Sequence, residues 1–511
     1  MRTLVTGKQM KSIDSWTIET VGIPSLVLME RAALSVAREV EDRAGKKERI
    51  WCACGCGNNG ADGVAAARML HLAGYPVVVI YIGDREKGSR EFQLQASIAE
   101  RLGVSLIEYE EFIPGRCDVL VDAVFGVGLS RPVTGAYREF LNMLRDAEPR
   151  LTVAVDMPSG ISSDTGKVMG CALRADVTVT FGWEKLGSVL YPGRLYAGQV
   201  ITADIGFPEE AVRRAPGAQE GIRAFCLEPE DKKEAPERPP YSNKGTFGKV
   251  LIAAGSKNMG GAAFLSGLAA YRTGAGLVKI FTDQSNRSFI NTRLPEAILE
   301  TYDPEDFEKD PEGMRSRIES CCSWADAVVV GPGLGQEPWA KELVEMVLTM
   351  ACTPIIVDAD ALNLIAANPE LAGYFTENIV ITPHLGEMAR LTGKSVEQIQ
   401  ENLPETAAEY AGHYGITCVL KDAATVTALR DGRICVNTSG NSAMAKAGSG
   451  DVLAGVIAGL FAQGMDDNLA APMGAYIHGL AGDLWRRENG AYGLLASELA
   501  DCVGKVLKGW E

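Results

Sequence analysis

The chain has 511 residues, too many for one ordinary hydrophobic core, so two or more domains are expected. Its 50 Lys and Arg against 66 Asp and Glu give a formal net charge of −16, which argues against nucleic acid or an anionic membrane as the main partner. No apolar run reaches membrane-spanning length without a polar break, and Met1 to Asp14 carries charge early with no apolar signal core, so a soluble, cytoplasmic protein is expected. Twelve cysteines spread thinly, no C-x-x-C pair and only four histidines point to free buried thiols rather than a disulfide scaffold or a zinc site.

Residues 1 to about 210 alternate strand and helix signals. Ile50 to Cys54 reads as a buried strand, residues 55–63 as a Gly-rich loop, Val64 to Ala73 as a helix with Gly74 at its C-terminus, and Val77 to Ile82 as the next strand. Asp118 to Val124, Leu151 to Val155 and Val177 to Phe181 repeat the strand signal. Short β-branched apolar runs with helices between them imply a parallel sheet covered on both faces. The run Gly55-Cys56-Gly57-Asn58-Asn59-Gly60 has the G-x-G-x-x-G spacing of a dinucleotide-binding turn, with Asp84 after the following strand. Asp62 in the same loop would oppose a bare pyrophosphate, which weighs against a Rossmann dehydrogenase. Polar residues also close the neighbouring strands: Asp122, then Gly126-Val127-Gly128-Leu129-Ser130-Arg131-Pro132, and Asp156-Met157-Pro158-Ser159-Gly160. Carboxyl ends of neighbouring parallel strands converge on one crevice. There Asn59, Asp122 and Ser159 would supply hard oxygen ligands suited to an alkali or alkaline-earth cation. Their local alternative is to cap helices and satisfy loop amides.

From Arg213 to Asn243 Pro216, Gly217, Pro229, Pro236, Pro239 and Pro240 lie among charges, and this stretch reads as the inter-domain region, with a boundary at residues 217/218. The α/β alternation then restarts. Strands are expected at Lys249 to Ala254, Leu277 to Phe281, Ala327 to Val330, Ile355 to Asp358, Ile379 to Ile381 and Thr417 to Leu420, with a helix at Gly260 to Thr273. Thr425 to Leu429 and Arg433 to Asn437, joined across Asp431-Gly432, read as a hairpin. The most informative stretch is Ala445 to Asp451, a Gly-rich loop ending on a carboxylate in the first turn of an apolar helix. Free N–H groups and the helix dipole there suit a phosphate, whereas a carboxylate would act on a second reactant, such as a hydroxyl meeting that phosphate. Ala454, Gly455, Ala458 and Gly459 would let this helix pack closely. The closing helices are expected to begin after Asp451.

The loops Asn58 to Gly63, Asp122, Gly126 to Pro132 and Asp156 to Gly160 resemble the epimerase domain of NAD(P)H-hydrate repair enzymes. In the second half, Gly255-Ser256, Met259 to Ala263, Gly331 to Gly335, Asp358 to Asn363, Thr382 to Glu387 and Gly448 to Asp451 resemble the partner dehydratase domain. The resemblance implies a Rossmann-like three-layer α/β domain at residues 1–217 and a ribokinase-like α/β domain at residues 218–511. It implies potassium at Asn59, Asp122 and Ser159, and substrate at Asn58, Asn59, Gly60, Ala61, Asp62, Gly126 to Pro132 and Asp156. In the dehydratase it implies substrate contacts from Ala262, Gly333, His384 and Asp451, and nucleotide contacts from Lys421, Asp422, Ala423, Ala424, Thr425 and Gly450. The family more often has Gly at 61, Pro at 385 and Gly at 422, where this chain has Ala61, Leu385 and Asp422; Asp422 beside Lys421 opposes a phosphate.

The implied enzyme is bifunctional. Its substrate is NADH or NADPH with water added across the nicotinamide ring, and its two activities are interconversion of the C6 epimers and nucleotide-driven dehydration of the S form. Asp156 would transfer a proton or orient the hydroxyl, and Asp451 would be the base or the hydrogen-bond acceptor for that hydroxyl. Asp358 and Asp360 would place a magnesium ion or cap the following helix, with the cap favoured, and Glu387 would lie in a helical first turn without a chemical role. The fused architecture implies ADP as phosphoryl donor, with ATP open, magnesium accompanying the nucleotide, and a homo-oligomer. Rival readings are a ribokinase-like kinase of a vitamin precursor, which would release a stable phosphorylated product, and a non-catalytic N-terminal binding module.

Overall fold

The computed structural model describes residues 1–216 and 223–510. The chain divides into two compact units, one of Thr3–Ala224 and one running from Phe225 with Met1–Arg2 attached. The boundary expected at 217/218 lies outside the described residues. Within the stretch expected to be irregular, Arg223–Cys226 forms a strand, too short to stand out among its charged neighbours.

The first unit is built on a seven-stranded, all-parallel sheet. In space its strands run Ser105–Glu108, Val77–Ile82, Ile50–Gly55, Val119–Ala123, Leu151–Val155, Val177–Phe181 and Gln199–Ala203. The order reverses between Ile50–Gly55 and Val119–Ala123, as in doubly wound α/β folds, and the crevice outside that point is where such folds bind ligands. Period-two alternation divides the core. Ile50, Cys52 and Cys54 pack with helices Ser25–Arg43, Asn58–Leu72 and Arg90–Arg101 on one face, while Trp51 and Ala53 pack with Gly135–Asp146 on the other. The alternating cysteines are therefore one face of a buried strand, and all twelve cysteines of the chain are free. Gly74 adopts φ +88° just past the helix Asn58–Leu72, as its C-terminal position requires.

In the second unit, strands Ile298–Tyr302, Leu277–Asp283, Lys249–Ala253, Ala327–Val330, Ile355–Val357, Ile379–Ile381 and Thr417–Leu420 lie side by side in parallel. Val426–Ala428 and Arg433–Val436 extend the sheet as the expected antiparallel hairpin. One face carries a large apolar core shared with helices Gly260–Thr273, Ser449–Ala462, Asp467–Asn489 and Ala496–Lys508. The closing helices begin at Ser449, three residues earlier than expected, because Gly448 at φ +89° turns the chain into the helix.

The small residues of Ser449–Ala462 work as their spacing implies. A Cβ on Gly455 would lie 2.1 Å from the Ser266 carbonyl oxygen, and one on Gly459 2.9 Å from the Thr273 Cβ. The two helices thus touch backbone to backbone, and Ser266 Oγ donates to the Asp451 carbonyl at 3.0 Å. In an open helix Gly455→Ala would gain about 1 kcal/mol from propensity. Here backbone cannot give way as a side chain would, so we expect a net loss of about 1–3 kcal/mol and a fall in Tm of roughly 2–10 °C. Differential scanning calorimetry checks this, and a Tm at or above the parent value would refute the close approach.

Candidate active sites

In the first unit a cavity of about 500 Å³ opens at the sheet's order reversal. Asn58, Asn59, Asp62, Gly126, Val127, Gly128, Leu129 and Asp156 line it, with Lys11, Asp14, Glu91, Tyr137 and Lys185. Of the expected substrate residues, Gly60, Ala61, Ser130, Arg131 and Pro132 do not line the cavity. Ala61 is buried in the core, and a Cβ on Gly60 would lie 1.6 Å from the Gly55 carbonyl oxygen, so these two close the loop on the sheet. Gly126 gives room to Asn59, whose Oδ1 would sit 2.7 Å from any Cβ there.

Beneath the cavity lies a cluster of oxygens. Asp122 is fully buried; the Ser159 hydroxyl donates to its Oδ1 at 2.5 Å and the Ser159 N–H to its Oδ2 at 2.8 Å. Ser159 Oγ in turn accepts from the Phe125 N–H at 2.9 Å. Burial pushes Asp122 up to about 6 against these hydrogen bonds. The Asn59 amide is buried and its Nδ2 has no protein partner.

Asp156 ends the strand Leu151–Val155 with φ +67°, a backbone region that an aspartate seldom occupies. Its Oδ1 accepts from the Lys185 ammonium, from Thr180 Oγ1 at 3.2 Å and from the Phe181 N–H at 3.4 Å. Burial, then Asp156 and Asp14, drive Asp62 well above the ordinary carboxylate range, and burial, Asp156 and Glu91 raise Asp14. Lys185 and Asp14 carry no motif and are not singled out by the sequence. The available signal for Lys185 is a lysine three residues past Gly182, which follows a buried strand.

In the second unit the carboxyl ends of three parallel strands bring Asp358, His384 and Lys421 together with the first turn of Ser449–Ala462. Lys421 Nζ pairs with Asp358 Oδ1 at 2.7 Å, and Thr382 Oγ1 donates to the same oxygen at 2.7 Å. A Cβ on Gly450 would lie 3.3 Å from Lys421 Nζ, so this glycine opens the helix terminus towards the ammonium. Burial works against the Lys421 charge, but the carboxylates of Asp358, Glu387 and Asp451 overcome it and raise its pKa. Asp451 is pushed up to about 7 by burial and Asp358, with Lys421 opposing. His384 Nδ1 accepts from the N–H groups of Gly386 at 2.9 Å and Glu387 at 3.3 Å, which caps the helix Leu385–Thr392; burial, Lys421 and Arg390 lower its pKa. Ala262 and Gly333 meet across their loops, where a Cβ on Gly333 would be 2.9 Å from that of Ala262. Asp422 and Thr425 are partly exposed beside Lys421, Ala423 is exposed and Ala424 is buried.

Three residues differ from their sequence reading or escape it. Asp358 holds Lys421 rather than capping a helix; only Asp360 sits in the helical first turn, where it accepts from the Gly335 N–H at 2.8 Å. Glu387, read as an ordinary first-turn carboxylate, is buried and pushed up to about 7 by its burial. His478, on Asp467–Asn489, holds the Ser449 carbonyl at 2.9 Å through Nε2 and is driven by burial down to about 4.

These features define a two-unit α/β enzyme, with an acid–base crevice in one unit and, in the other, a Gly-rich helix terminus facing a lysine and an aspartate in a ribokinase-like fold. Residues 250–505 match the family model described as NAD(P)H-hydrate dehydratase, and residues 25–187 match that of the YjeF-related protein N-terminus. The chain is 37% identical over 508 residues to the bifunctional NAD(P)H-hydrate repair enzyme Nnr of Thermofilum pendens, covering 98% of this chain and 95% of that one. It is 36% identical over 524 residues to its namesake from Moorella thermoacetica, covering 99% and 97%. The second unit is similar to the crystal structure of ADP/ATP-dependent NAD(P)H-hydrate dehydratase from Bacillus subtilis, co-crystallized with ATP/Mg2+. That likeness has 34% identity and a TM-score of 0.50 over 57% of this chain and 100% of that one. The chain belongs to the family of bifunctional NAD(P)H-hydrate repair enzymes.

The position of Asp451 has a consequence for stability. Its folded pKa of about 7 lies above the ordinary 3.8, so folding must hold a proton on it or bury a charge. Any stabilisation from the carboxyl is complete below about pH 4 and is lost as pH rises through about 7. Asp451→Asn, which carries no charge, should therefore have a higher Tm than the parent at pH 8, and the difference should vanish towards pH 4. A Tm below the parent value at pH 8 would contradict the burial described.

Proposed function

We propose the following division of labour for this bifunctional repair enzyme, which interconverts the R and S forms of hydrated NADH or NADPH and dehydrates the S form with a nucleotide. The observation that carries the reading is the pairing of two sites in one chain, one of acid–base character and one facing a phosphate-binding helix terminus.

In the first unit, C6 of the hydrated ring bears both the ring nitrogen and a hydroxyl. Asp156 takes the hydroxyl proton, the C6–N1 bond breaks with its electron pair on nitrogen, and that nitrogen takes a proton from Asp62, which its surroundings keep protonated. The open aldehyde rotates and closes on the other face, returning both protons. The oxygens of Asn59, Asp122, Ser159 and the Phe125 carbonyl suit a large monovalent cation, since one carboxylate among neutral donors is too little charge for magnesium. Potassium held there would fix the loops and balance substrate charge. The loop residues from Asn58 to Asp62 and from Gly126 to Pro132 then enclose the dinucleotide, those off the cavity wall by shaping the loops.

In the second unit, hydroxide leaves C6 poorly. Transfer of a terminal phosphoryl from ADP, or from ATP, to the C6 hydroxyl makes phosphate the leaving group. The ring nitrogen lone pair then expels it, and loss of a proton from C5 restores the dihydropyridine. Asp451 takes the hydroxyl proton, while the Gly450 amides and the Lys421 ammonium hold phosphate charge. Residues 422–425 continue the nucleotide contact; His384, Ala262 and Gly333 face the hydrated dinucleotide. Magnesium brought by the nucleotide would offset phosphate charge near Asp358 and Asp360. The free thiols suit a reducing compartment, and we place the enzyme in the cytoplasm.

The deciding experiment incubates the protein with purified R and S hydrates and ADP or ATP, following NADH recovery and nucleotide products together. AMP plus phosphate from ADP, at one equivalent per NADH, supports this reading; a stable phosphorylated product would favour a kinase. Asp451→Asn should slow dehydration of the S form by roughly 10²–10⁴-fold, with nucleotide binding by calorimetry retained. Asp156→Ala should abolish epimer interconversion and leave dehydration of the S form intact. Replacing potassium by a bulky organic cation should depress epimerisation alone, and a thallium soak should give anomalous density beside Asp122.

A further inference from the structure

Lys185 is not used by the chemistry above, yet it is a wholly buried ammonium in the wall of the epimerase cavity. Its surroundings are specific. Trp183 to Lys185 leave the buried strand Val177–Phe181, and Lys185 then pairs in parallel register with Val5 on the first strand of the chain. Its Nζ donates to Thr180 Oγ1 at 2.9 Å, to the Phe181 carbonyl at 3.1 Å and to Asp156 Oδ1. These three donations use every N–H of an ammonium, so among the described residues its only charged partner is Asp156 and it has no donor left for a ligand.

The cavity around this pair is crowded with negative charge. Asp14 comes from helix Gly7–Trp16, Asp62 from Asn58–Leu72 and Glu91 from Arg90–Arg101. Besides Lys185, the cation among the lining residues is Lys11, on the same helix as Asp14. Asp156 is thus the carboxylate singled out by a buried cation, in a backbone conformation that few residues adopt. Oδ1 is engaged by Lys185, Thr180 and the Phe181 N–H.

We propose that Lys185 is a positioning residue for epimerisation: its buried ammonium is the ion-pair partner of Asp156 and holds Oδ1, so that Oδ2 is presented to the C6 hydroxyl as the base. The proposal rests on Asp156 being the proton acceptor. A structural role alone would make Lys185 matter for folding; this role makes it set the pH at which the base works.

The test uses the full chain, whose dehydratase activity on the S form reports that the protein is intact. Lys185→Gln keeps a hydrogen-bond donor and removes the charge; Lys185→Arg keeps the charge. For Lys185→Gln, the acid limb of kcat/KM for epimer interconversion should move up by about one pH unit or more. On the acid side of the parent's limb activity should fall about tenfold, chiefly in kcat, and recover as pH rises past the displaced limb. Lys185→Arg should return the limb to within a few tenths of a unit of the parent. An unmoved limb in Lys185→Gln, with Asp156→Asn inactive, would overturn the role of Lys185 and leave Asp156 as the base. Full activity in Asp156→Asn would overturn both. Should Lys185→Gln not fold, Lys185→Met takes its place in the same measurement, and an acid limb unmoved from the parent's would reject the idea that Lys185 acts through Asp156.

Discussion

Each unit buries a lysine ammonium against an aspartate at the carboxyl end of a parallel sheet, Lys185 with Asp156 and Lys421 with Asp358. Burying charge is tolerable only when it is paired and hydrogen-bonded, and here Thr180 and the Phe181 carbonyl in one site and Thr382 in the other complete the pairing. Each pair also leaves a surplus. One ammonium faces several carboxyl groups: Asp14, Asp62 and Glu91 around the first pair, Asp451 and Glu387 around the second. The carboxyls beyond the pair cannot all ionise together. Burial first, and the neighbouring carboxylates second, drive Asp62 well up and bring Asp451 and Glu387 to about 7. Carboxyls lifted out of their ordinary range arise in both sites from the same combination of burial and surplus negative charge.

The backbone makes those pairs possible. At the order reversal of the first sheet, Gly60 lies so near the Gly55 carbonyl that no side chain fits, which brings the N-terminus of Asn58–Leu72 down onto the strand ends. In the second unit Gly455 does the same at a helix crossing and so sets the height of Asp451 above Lys421. Glycine is needed in both places for close approach, although neither has a positive φ.

What was legible in the sequence follows from these constraints. The strands at Val77–Ile82, Leu151–Val155, Val177–Phe181, Ala327–Val330 and Thr417–Leu420 coincide with their apolar runs, because buried parallel strands are continuously hydrophobic. Gly-rich loops at strand ends were equally plain. The edge strands Ser105–Glu108 and Ile298–Tyr302 were not, since one exposed edge relaxes the demand for apolar residues. Lys185 escaped because its partner lies 29 residues away on another strand and no loop motif marks it. Asp358 was read as a cap because its neighbours in sequence are helical, whereas its partner Lys421 is 63 residues distant. Local pattern reveals which element a residue ends; only the sheet order reveals what it meets there.

The two chemistries then differ in one electrostatic respect. In the proposed function, ring opening at C6 needs a base and an acid a few ångströms apart but creates little net charge, so a set of carboxyls around one buried cation, Lys185, would serve it. Phosphoryl transfer brings several negative charges on the nucleotide, and in the proposed function the second site would meet them with an open helix terminus, Lys421 and the metal carried by the nucleotide. Asp451 stands at the same terminus, where the N–H groups that favour phosphate also favour its carboxylate, and its burial opposes that ionisation. Phosphate charge arriving beside it adds to the opposition, and magnesium on the phosphates reduces it. On the proposed role, the protonation of Asp451 is thereby tied to what is bound: phosphate charge beside it would raise its affinity for the C6 hydroxyl proton, so that the base would be strongest in the complex that needs it.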